Sequence, residues 1–407
     1  MKRTCVALAI GFALSLSGCG RQGGDAAPAG KAEAEAGFAA ELRNKLLDAK
    51  PGDVIDVPAG TFHFDRSLSL RVDGVTLRGQ GMDKSILSFK GQKAGAEGLL
   101  VNANGFTLEN LAIEDSKGDG FKISQAENVT VRGVRVEWTG GPKTSNGGYG
   151  LYPVLCKNVL IENSVAIGAS DSGIYVGQSR DVIVRGSRAE RNVAGIEIEN
   201  TINADVYDNV ATGNTGGILV FNMPTLTQQG DAIRVFRNKV FQNNLDNFGA
   251  KGTPVASVPA GSGVVINSND NIEIFDNDIA DNQTANIIVS SVYSTGYKDD
   301  KASGEFDPYP ERIYVHDNRL SGGGDSPDRM DFKALKVAMY GLGGHFPDVL
   351  FDGYVNPQRK EGPQLCLRGV SGVLNADGPG GYKNPSKDAK PFDCALPSLP
   401  AVDLKRG

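Results

Sequence analysis

The 407-residue sequence has few of the side chains that build transition-metal centres, with three histidines, five methionines and five cysteines. No group of them has the spacing of a zinc or copper site, so no such centre is expected. Basic residues are not in excess either. The net charge of −6 therefore argues against a nucleic-acid partner, which would require a basic face. The apolar run Val6–Leu16 is too short to span a membrane as a helix.

The N-terminus has the pattern of an export signal, in which a charged start and an apolar run lead to the sequence "LSGC" ending at Cys19. This ending resembles the lipobox of bacterial lipoproteins. The resemblance implies a signal peptide over residues 1–18, lipidation of Cys19 and a membrane contact through the lipid. Because Gly20 follows the cysteine, it also implies an outer-membrane lipoprotein facing the periplasm or the surface. An ordinary secretory signal is the alternative. Residues 19–37, rich in Gly, Ala, Pro and charge, are predicted to form a flexible tether.

Three cysteines lie beyond this signal. In an oxidising envelope, Cys366 and Cys394 are predicted to form a disulfide in the C-terminal region. Cys156 lies in the apolar stretch "PVLCKNVLIEN", and we interpret it as a buried small apolar residue rather than a nucleophile.

Short repeats dominate the middle of the chain. The segments "GLYPV", "GIYVG", "GIEIE" and "GILVF" start 22 or 23 residues apart, and each is followed by a second alternating run such as "DVIVRGSRA". The pattern has strand periodicity throughout and no helical period. It predicts an all-β fold, a single-stranded right-handed parallel β-helix (a solenoid) with one coil per repeat. Leucine-rich repeats and propellers fit less well, because the leucine ladder is missing and a propeller blade needs about 40 residues.

The ends of this repeat region are predicted to be caps. An amphipathic helix over Phe38–Ala49 is expected to cover the first coil, within a β-helix that extends over residues 38–322. Residues 323–407 lack the period and are predicted to form an irregular C-terminal cap. The repeat is interrupted four times, and such insertions are expected to form loops that frame a binding surface. These insertions are 140–149, 222–230, 243–261 and 290–311.

A column of asparagines and glycines separates successive strands. Both residue types tolerate a left-handed backbone, and stacked Asn amides can hydrogen bond from coil to coil, so we interpret the column as a structural ladder. The acidic run "NSNDNIEIFDNDIADN" allows calcium, but its Asp and Asn residues occur at strand ends, so turn chemistry is the better explanation. No cofactor is therefore expected, with calcium as the alternative. The column contains Asn110, Gly133, Asn163, Gly186, Asn209, Asn238, Asn277 and Asn318.

The alternation of side chains also predicts a chemical face. If the residue after each strand glycine points inward, tyrosines and acids on consecutive coils point outward, about 5 Å apart. Such a column suits the stacking of sugar rings. The candidate catalytic residues are Tyr152, Asp171, Tyr175, Arg191, Glu197 and Glu199, and the candidate substrate-binding residues are Lys122, Phe221, Asn222 and Asn267.

Two chemistries fit this face. Lyases and epimerases of uronic acids need a group that neutralises the substrate carboxylate, for which Arg191 and Lys122 are candidates, and an acid and a base such as the tyrosines. Glycoside hydrolases need two carboxyl groups, and Glu197 and Glu199 are about 6.5–7 Å apart along a strand. We expect the first chemistry rather than the second. The alternative throughout is a solvated outer wall, on which His316 would be a surface turn residue rather than a base.

The block from Tyr149 to Asn222, together with the lipobox, resembles a family of bacterial parallel β-helix repeat lipoproteins. That resemblance implies export and a cytochrome-like partner, and it carries no catalytic residues to this chain. More distantly, the coils are similar to carbohydrate-binding and sugar-hydrolase β-helices, including alginate epimerases, although the epimerase motif "DPHD" is absent. The sequence thus predicts a lipid-anchored protein that binds acidic polysaccharide and acts as a lyase or epimerase. The alternative is a non-catalytic accessory protein working with an exported redox partner.

Overall fold

The computed structural model describes residues 29–295, 306–359 and 364–405. These residues form a right-handed parallel β-helix, in which successive coils contribute short strands to three parallel sheets. Two α-helices accompany the coils in this part of the chain, α1 (Ala29–Leu47) and α2 (Met330–Tyr340). Short 3₁₀ segments cover Pro254–Ser257, Val292–Ser294 and Lys390–Phe392.

The strands of each sheet follow one another at intervals of one coil. The first sheet contains Val54–Asp56, Thr76–Arg78, Thr107–Glu109, Glu127–Arg132, Lys157–Glu162, Arg180–Arg185, Ile202–Tyr207, Asp231–Phe236, Asp270–Phe275, Glu311–His316 and Leu365–Leu367. The second contains Gly60–His63, Ser85–Ser88, Ala112–Glu114, Arg135–Glu137, Val165–Ile167, Arg188–Glu190, Val210–Thr212, Lys239–Phe241, Asp278–Ala280 and Arg319–Ser321. The third contains Arg66–Leu70, Ala94–Val101, Phe121–Ser124, Tyr149–Val154, Ser172–Gly177, Ala194–Glu199, Gly216–Phe221, Ser262–Asn267, Ala285–Ser290, Val349–Phe351 and Val373–Asn375.

The core of the coils consists of stacked aliphatic side chains. Ile174, Ile196, Ile218 and Val264 occupy equivalent positions on successive strands of the third sheet and have no exposed surface. Burial of a side chain of this size contributes about 1.5–3 kcal/mol, so each coil is stabilised mainly by the coils above and below it. The predicted inward column is therefore confirmed.

Buried asparagines form two ladders across the turns. In each ladder the side-chain amide of one residue donates to Oδ1 of the asparagine one coil further on, at 2.9–3.1 Å. The ladder between the first and second sheets contains Asn209, Asn238, Asn277 and Asn318. The ladder between the second and third sheets contains Asn192, Asn214, Asn243 and Asn282, and the sequence pattern did not identify it.

The predicted Asn and Gly column combined two different turn positions. Asn110, Gly133, Asn163 and Gly186 have positive φ and occupy the first position of the turn. The stacked asparagines occupy the second position, where Asp208, for example, takes the left-handed conformation immediately before Asn209. The sequence thus predicted that an asparagine ladder exists and identified four of its members. The other four residues of the predicted column occupy the first turn position and do not belong to the ladder.

The boundaries of the fold differ from the predicted ones at both ends. Helix α1 begins at Ala29, so residues 29–37 are helical rather than part of a tether, as the helix propensity of their Ala, Glu and Lys residues favours. The coils also continue beyond residue 322, because three later strands pair with the first and third sheets. The predicted signal peptide (residues 1–18) and Cys19 lie outside the described residues. Among the described residues, no helix is long and apolar enough to cross a membrane.

The C-terminal segment returns over the outer face of the first sheet. The predicted disulfide between Cys366 and Cys394 is present, with an S–S distance of 2.08 Å. Beyond it, the Leu399 amide donates to Glu273 at 2.9 Å and the Val402 amide donates to Asp205 at 3.2 Å. This segment, residues 395–405, therefore covers carboxyl groups that point away from the core.

We expect removal of residues 395–407 to lower the free energy of unfolding by about 2–4 kcal/mol, because two buried carboxyl groups lose a hydrogen bond each. Denaturant unfolding of the full-length and truncated proteins measures the difference. The control is Asp403→Ala, which changes an exposed residue of the same segment and should leave stability nearly unaltered. Equal stability of the truncated and full-length proteins would show that the segment is not structural.

Candidate functional site

The outer face of the third sheet carries a cluster of tyrosines and carboxyl groups on three neighbouring strands. Strand pairing places Tyr149 beside Ser172, Tyr175 beside Glu197, and Gly177 beside Glu199. Tyr152, Tyr175, Glu197 and Glu199 have the outward parity of their strands, and Tyr149 and Asp171 join them at the strand starts. Side chains that are distant in sequence therefore meet on one surface. We refer to the following residues as the tyrosine–acid cluster: Tyr149, Tyr152, Asp171, Tyr175, Glu197 and Glu199.

The carboxyl groups of this cluster are joined by hydroxyl groups. The Ser172 hydroxyl lies 3.0 Å from Oδ1 of Asp171 and forms a short hydrogen bond with Glu197. A serine hydroxyl has one proton and can donate to only one of these two acids, so the other acid must itself be protonated to bond with it. Tyr175 donates its phenolic proton to Glu199 in another short hydrogen bond. The cluster therefore holds shared protons.

The three tyrosine rings pack against one another. The Tyr149 ring centroid lies 4.4 Å from that of Tyr152 and 4.5 Å from that of Tyr175, and the Tyr152 and Tyr175 rings meet edge to face at 5.0 Å. Gly177 permits this arrangement, since a Cβ at that position would overlap the Tyr175 ring and hydroxyl. The rings thereby form one rigid aromatic wall next to the acids.

Burial shifts the titration of every carboxyl group in the cluster. Removal from water raises the pKa of Asp171 to about 7 and that of Glu199 to about 7. Glu197 is only 4% exposed, and burial together with the charges of Glu199 and Asp171 raises its pKa well above the usual range. Burial also raises the pKa of Tyr152 to about 12. Near neutral pH the cluster therefore contains both proton donors and a group ready to accept a proton.

Lys122 supplies a positive charge at the edge of the cluster. The Lys122 ammonium lies 4.7 Å from the Tyr152 ring centroid and 4.0 Å from Oδ2 of Asp119, and its side chain is 27% exposed. Asp119 also accepts a hydrogen bond from the Tyr149 amide at 3.2 Å, and its burial raises its pKa. The predicted substrate-binding role of Lys122 is compatible with this position, which joins the cluster to solvent.

Two of the four predicted insertions border the cluster. In the loop formed by residues 138–148, the Gly148 carbonyl accepts hydrogen bonds from the Asp171 and Ser172 amides at 3.1 and 3.0 Å. On the other side, Thr227 of the loop formed by residues 222–230 donates its hydroxyl proton to Gln178 at 2.7 Å, immediately after the strand that carries Tyr175. The loops thus lie at opposite ends of the same strand, as expected for walls of a binding groove.

The predicted sugar platform does not continue beyond Glu197. The next outward residues on the third sheet, Leu219 and Val265, are buried in a second apolar cluster with Val255 and Val258 of the 243–261 insertion. Phe332 and Leu335 of α2 pack against the same cluster. The insertion and the helix thus cover this part of the sheet. The open face is restricted to the coils nearer the N-terminus.

Three of the predicted substrate-binding residues are consequently buried. Phe221 is 6% exposed and belongs to the second apolar cluster, while Asn222 and Asn267 are each 1% exposed. Asn222 closes the base of its loop, since its Oδ1 accepts from the Gly230 amide at 2.6 Å. The prediction that these three residues offer a surface to a ligand was wrong, because alternation gives the direction of a side chain but not what covers it.

Arg191 does not join the tyrosine–acid cluster. Its half-exposed side chain lies 3.7 Å from Glu190 of its own coil, and no described contact connects it to the clustered acids. Its backbone has positive φ at the turn after the second sheet. Lys122 is therefore the better candidate for contacting an acidic substrate.

Tyr149, Ser172 and Asp119 were not identified from the sequence. Tyr149 and Ser172 lie two residues before the inward-pointing Leu151 and Ile174, so strict alternation assigns them to the inward side and does not identify them. Asp119 precedes its strand, and only the contact with the next coil shows that it belongs near the cluster.

His316 and Cys156, which were considered as a base and a nucleophile, both have contacts typical of structural residues. His316 lies on the first sheet, where its ring stacks on Phe275 and its nitrogens contact Asp317 at 2.7 Å and Glu273 at 3.1 Å. Cys156 is buried, and burial raises the pKa of its thiol to about 11. The interpretation of Cys156 as a buried residue is confirmed.

Comparison with protein families places the chain in a known class. The family described as the right-handed β-helix region matches residues 73–233 and 144–299, which together cover more than half of the chain. The protein therefore belongs to the right-handed β-helix family. No curated protein sequence matches it.

Several solved structures share the fold. The A-module of the mannuronan C-5 epimerase AlgE4 from Azotobacter vinelandii superposes with a TM-score of 0.50 at 19% identity, over 74% of this chain and 83% of that one. The AlgE6 A-module from the same organism gives 0.45 at 17% identity, over 74% and 82%. An alginate lyase from Paenibacillus sp. gives 0.43 at 16% identity, over 70% and 96%. These neighbours are polysaccharide epimerases and lyases, and at such identities the likeness to them shows the fold alone.

Proposed function

We propose that this protein is a carbohydrate-active enzyme that acts on a uronic-acid polysaccharide by proton abstraction, as a lyase or an epimerase. The observation that carries the proposal is the tyrosine–acid cluster, in which buried carboxyl groups share protons beside the Lys122 ammonium. Perturbed acids gathered on one walled face are typical of acid–base catalysis.

Lys122 and the three acids of the tyrosine–acid cluster would take four different roles. Lys122 would pair with the carboxylate of the uronate, which makes the adjacent C–H group more acidic. Glu199, whose pKa is about 7, would accept that proton, either directly or through the Tyr175 hydroxyl that it binds. Asp171, which hydrogen bonds with Tyr149, would supply a proton on the other side. Glu197 lies deepest and would position Ser172 rather than touch the substrate.

The same proton abstraction leads to two products. In a lyase, the carbanion expels the glycosidic oxygen, the acid protonates that oxygen, and an unsaturated uronate remains. In an epimerase, the acid returns a proton to the opposite face of the same carbon, and the chain stays intact. The A-module of the mannuronan C-5 epimerase AlgE4, which shares the fold, is named for a uronate polymer, and we propose the same substrate class for this protein.

The N-terminal sequence supports a location for this activity. The lipobox ending at Cys19 is consistent with a lipid anchor in the cell envelope, at the outer membrane and facing the periplasm or the surface. An acidic glycan of the envelope or its surroundings would then be within reach of the open face.

A screen of uronate polymers tests the proposed function. The purified protein is incubated with polymannuronate, polyguluronate and polygalacturonate, and products are followed by ultraviolet absorbance of unsaturated uronates and by proton NMR. We expect unsaturated ends or a changed ratio of epimers with at least one polymer. New reducing ends without unsaturation would instead support a hydrolase using the paired carboxyl groups. Binding without turnover would support the accessory role beside an exported, cytochrome-like partner.

A further inference from the structure

A second group of carboxyl groups lies where the chain passes from the third sheet to the first. Asp270 and Glu311 are the paired first residues of two neighbouring strands in the first sheet, and Asp307 precedes the second of these strands. One carboxylate oxygen from each of the three residues lies within 4.8 Å of the others. None of them belongs to the tyrosine–acid cluster.

Glu311 has an oxygen without a hydrogen-bond partner. Its side chain is only 5% exposed, and its Oε2 forms a close ion pair with Arg359. Its other oxygen, Oε1, is buried and accepts no hydrogen bond from the described residues. Because burial of an unpaired carboxylate oxygen is costly, this atom indicates a missing electropositive partner.

The charges around the group are unbalanced. Arg359 is the one cation that pairs with these carboxyl groups in the described part of the chain, so three acids face a single positive charge. The three carboxylates therefore repel one another. A bound divalent cation would remove this repulsion and satisfy the buried oxygen.

We propose that Asp270, Asp307 and Glu311 form a calcium-binding site. Calcium is bound by oxygen ligands at about 2.3–2.6 Å, so two ligands of one ion can lie up to about 5 Å apart, and the carboxylate oxygens meet this limit. Main-chain carbonyls or waters would complete the coordination. The ion would link the segment around Asp307 to two adjacent coils and so stabilise the C-terminal part of the solenoid.

Isothermal titration of the chelator-treated protein with CaCl₂ tests this proposal directly. We expect the protein to bind one equivalent of calcium saturably. Substitutions in the tyrosine–acid cluster should leave this binding unchanged. Calcium at about 100 times its Kd should also raise Tm by roughly 3–5 °C, because it binds the folded state alone. Absence of saturable binding by the unaltered protein at millimolar calcium would overturn the proposal without reference to any variant.

Three single variants then locate the ion. Asp307→Asn and Glu311→Gln retain shape, and each is expected to weaken calcium binding at least tenfold and to abolish the rise in Tm. The control is Asp278→Asn, which removes the same charge from a partly exposed residue that pairs with Arg319 at 2.9 Å. It should bind calcium like the unaltered protein. Calcium binding that survives in both Asp307→Asn and Glu311→Gln would assign the ion to another site.

Discussion

Replacement of Glu199 by Gln is expected to lower kcat/KM on the responsive uronate polymer by about 10²–10⁴-fold. The amide keeps the shape of the side chain and still accepts a hydrogen bond from Tyr175, but it cannot take up a proton. Tyr175→Phe removes the hydroxyl that bonds to Glu199 while retaining the ring that packs on Tyr149, and it should lower kcat/KM by a similar factor. Initial rates on a single polymer measure both effects.

The control for these variants is Glu190→Gln, which changes an acid on the second sheet that pairs with Arg188 at 2.7 Å. It should leave the rate unaltered. A pH profile gives a second readout, because the reaction needs deprotonated Glu199 and protonated Asp171, and both groups have a pKa of about 7. The rate should therefore pass through a maximum near pH 7. Unaltered rates in both Glu199→Gln and Tyr175→Phe would exclude this cluster as the catalytic site.

The same titration should also appear in the stability of the fold. Since folding raises the pKa of Asp171 and Glu199 above their unfolded values, their protonated forms stabilise the native state at acidic pH. That contribution is lost as pH rises through about 7. Glu199→Gln should therefore weaken the pH dependence of the free energy of unfolding over this range, an effect separate from catalysis.

Replacement of Asn238 by Ala is expected to lower the free energy of unfolding by about 3–5 kcal/mol. The side-chain amide of Asn238 donates to the Val206 carbonyl at 2.9 Å and to Asn277 at 2.9 Å. Its Oδ1 accepts from the main-chain and side-chain nitrogens of Asn209 at 3.0 and 3.1 Å. Alanine would leave these buried groups unpaired in the middle of the solenoid. Chemical denaturation measures the loss.

Asn244→Ala provides the comparison for this prediction. Asn244 also bonds across coils, to the Asp281 carbonyl at 3.0 Å and from the Gln283 amide at 2.9 Å, but it is only partly buried. Water can replace its bonds, so the cost should be below about 1 kcal/mol. Similar stabilities for the Asn238 and Asn244 variants would mean that the buried ladder contributes little beyond an ordinary surface turn.

The sequence alone determined the architecture because the signal for a β-helix is local and repeated. Glycine starts at intervals of 22 or 23 residues predicted the coils, and alternation predicted that Ile174 and Ile196 point inward while Tyr175 and Glu197 point outward. The disulfide between Cys366 and Cys394 also followed from composition and position. Each of these features depends on residue types close together in the chain or on a strict period.

Only the tertiary structure decided which outward residues remain accessible and how they titrate. Glu197 and Leu219 have the same parity and neighbouring positions, yet one joins a group of shared protons and the other lies beneath the 243–261 insertion. Alternation fixes the side of the sheet on which a side chain lies. Its burial, its hydrogen bonds and its pKa depend on loops from distant parts of the sequence. No local sequence pattern predicts where those loops pack.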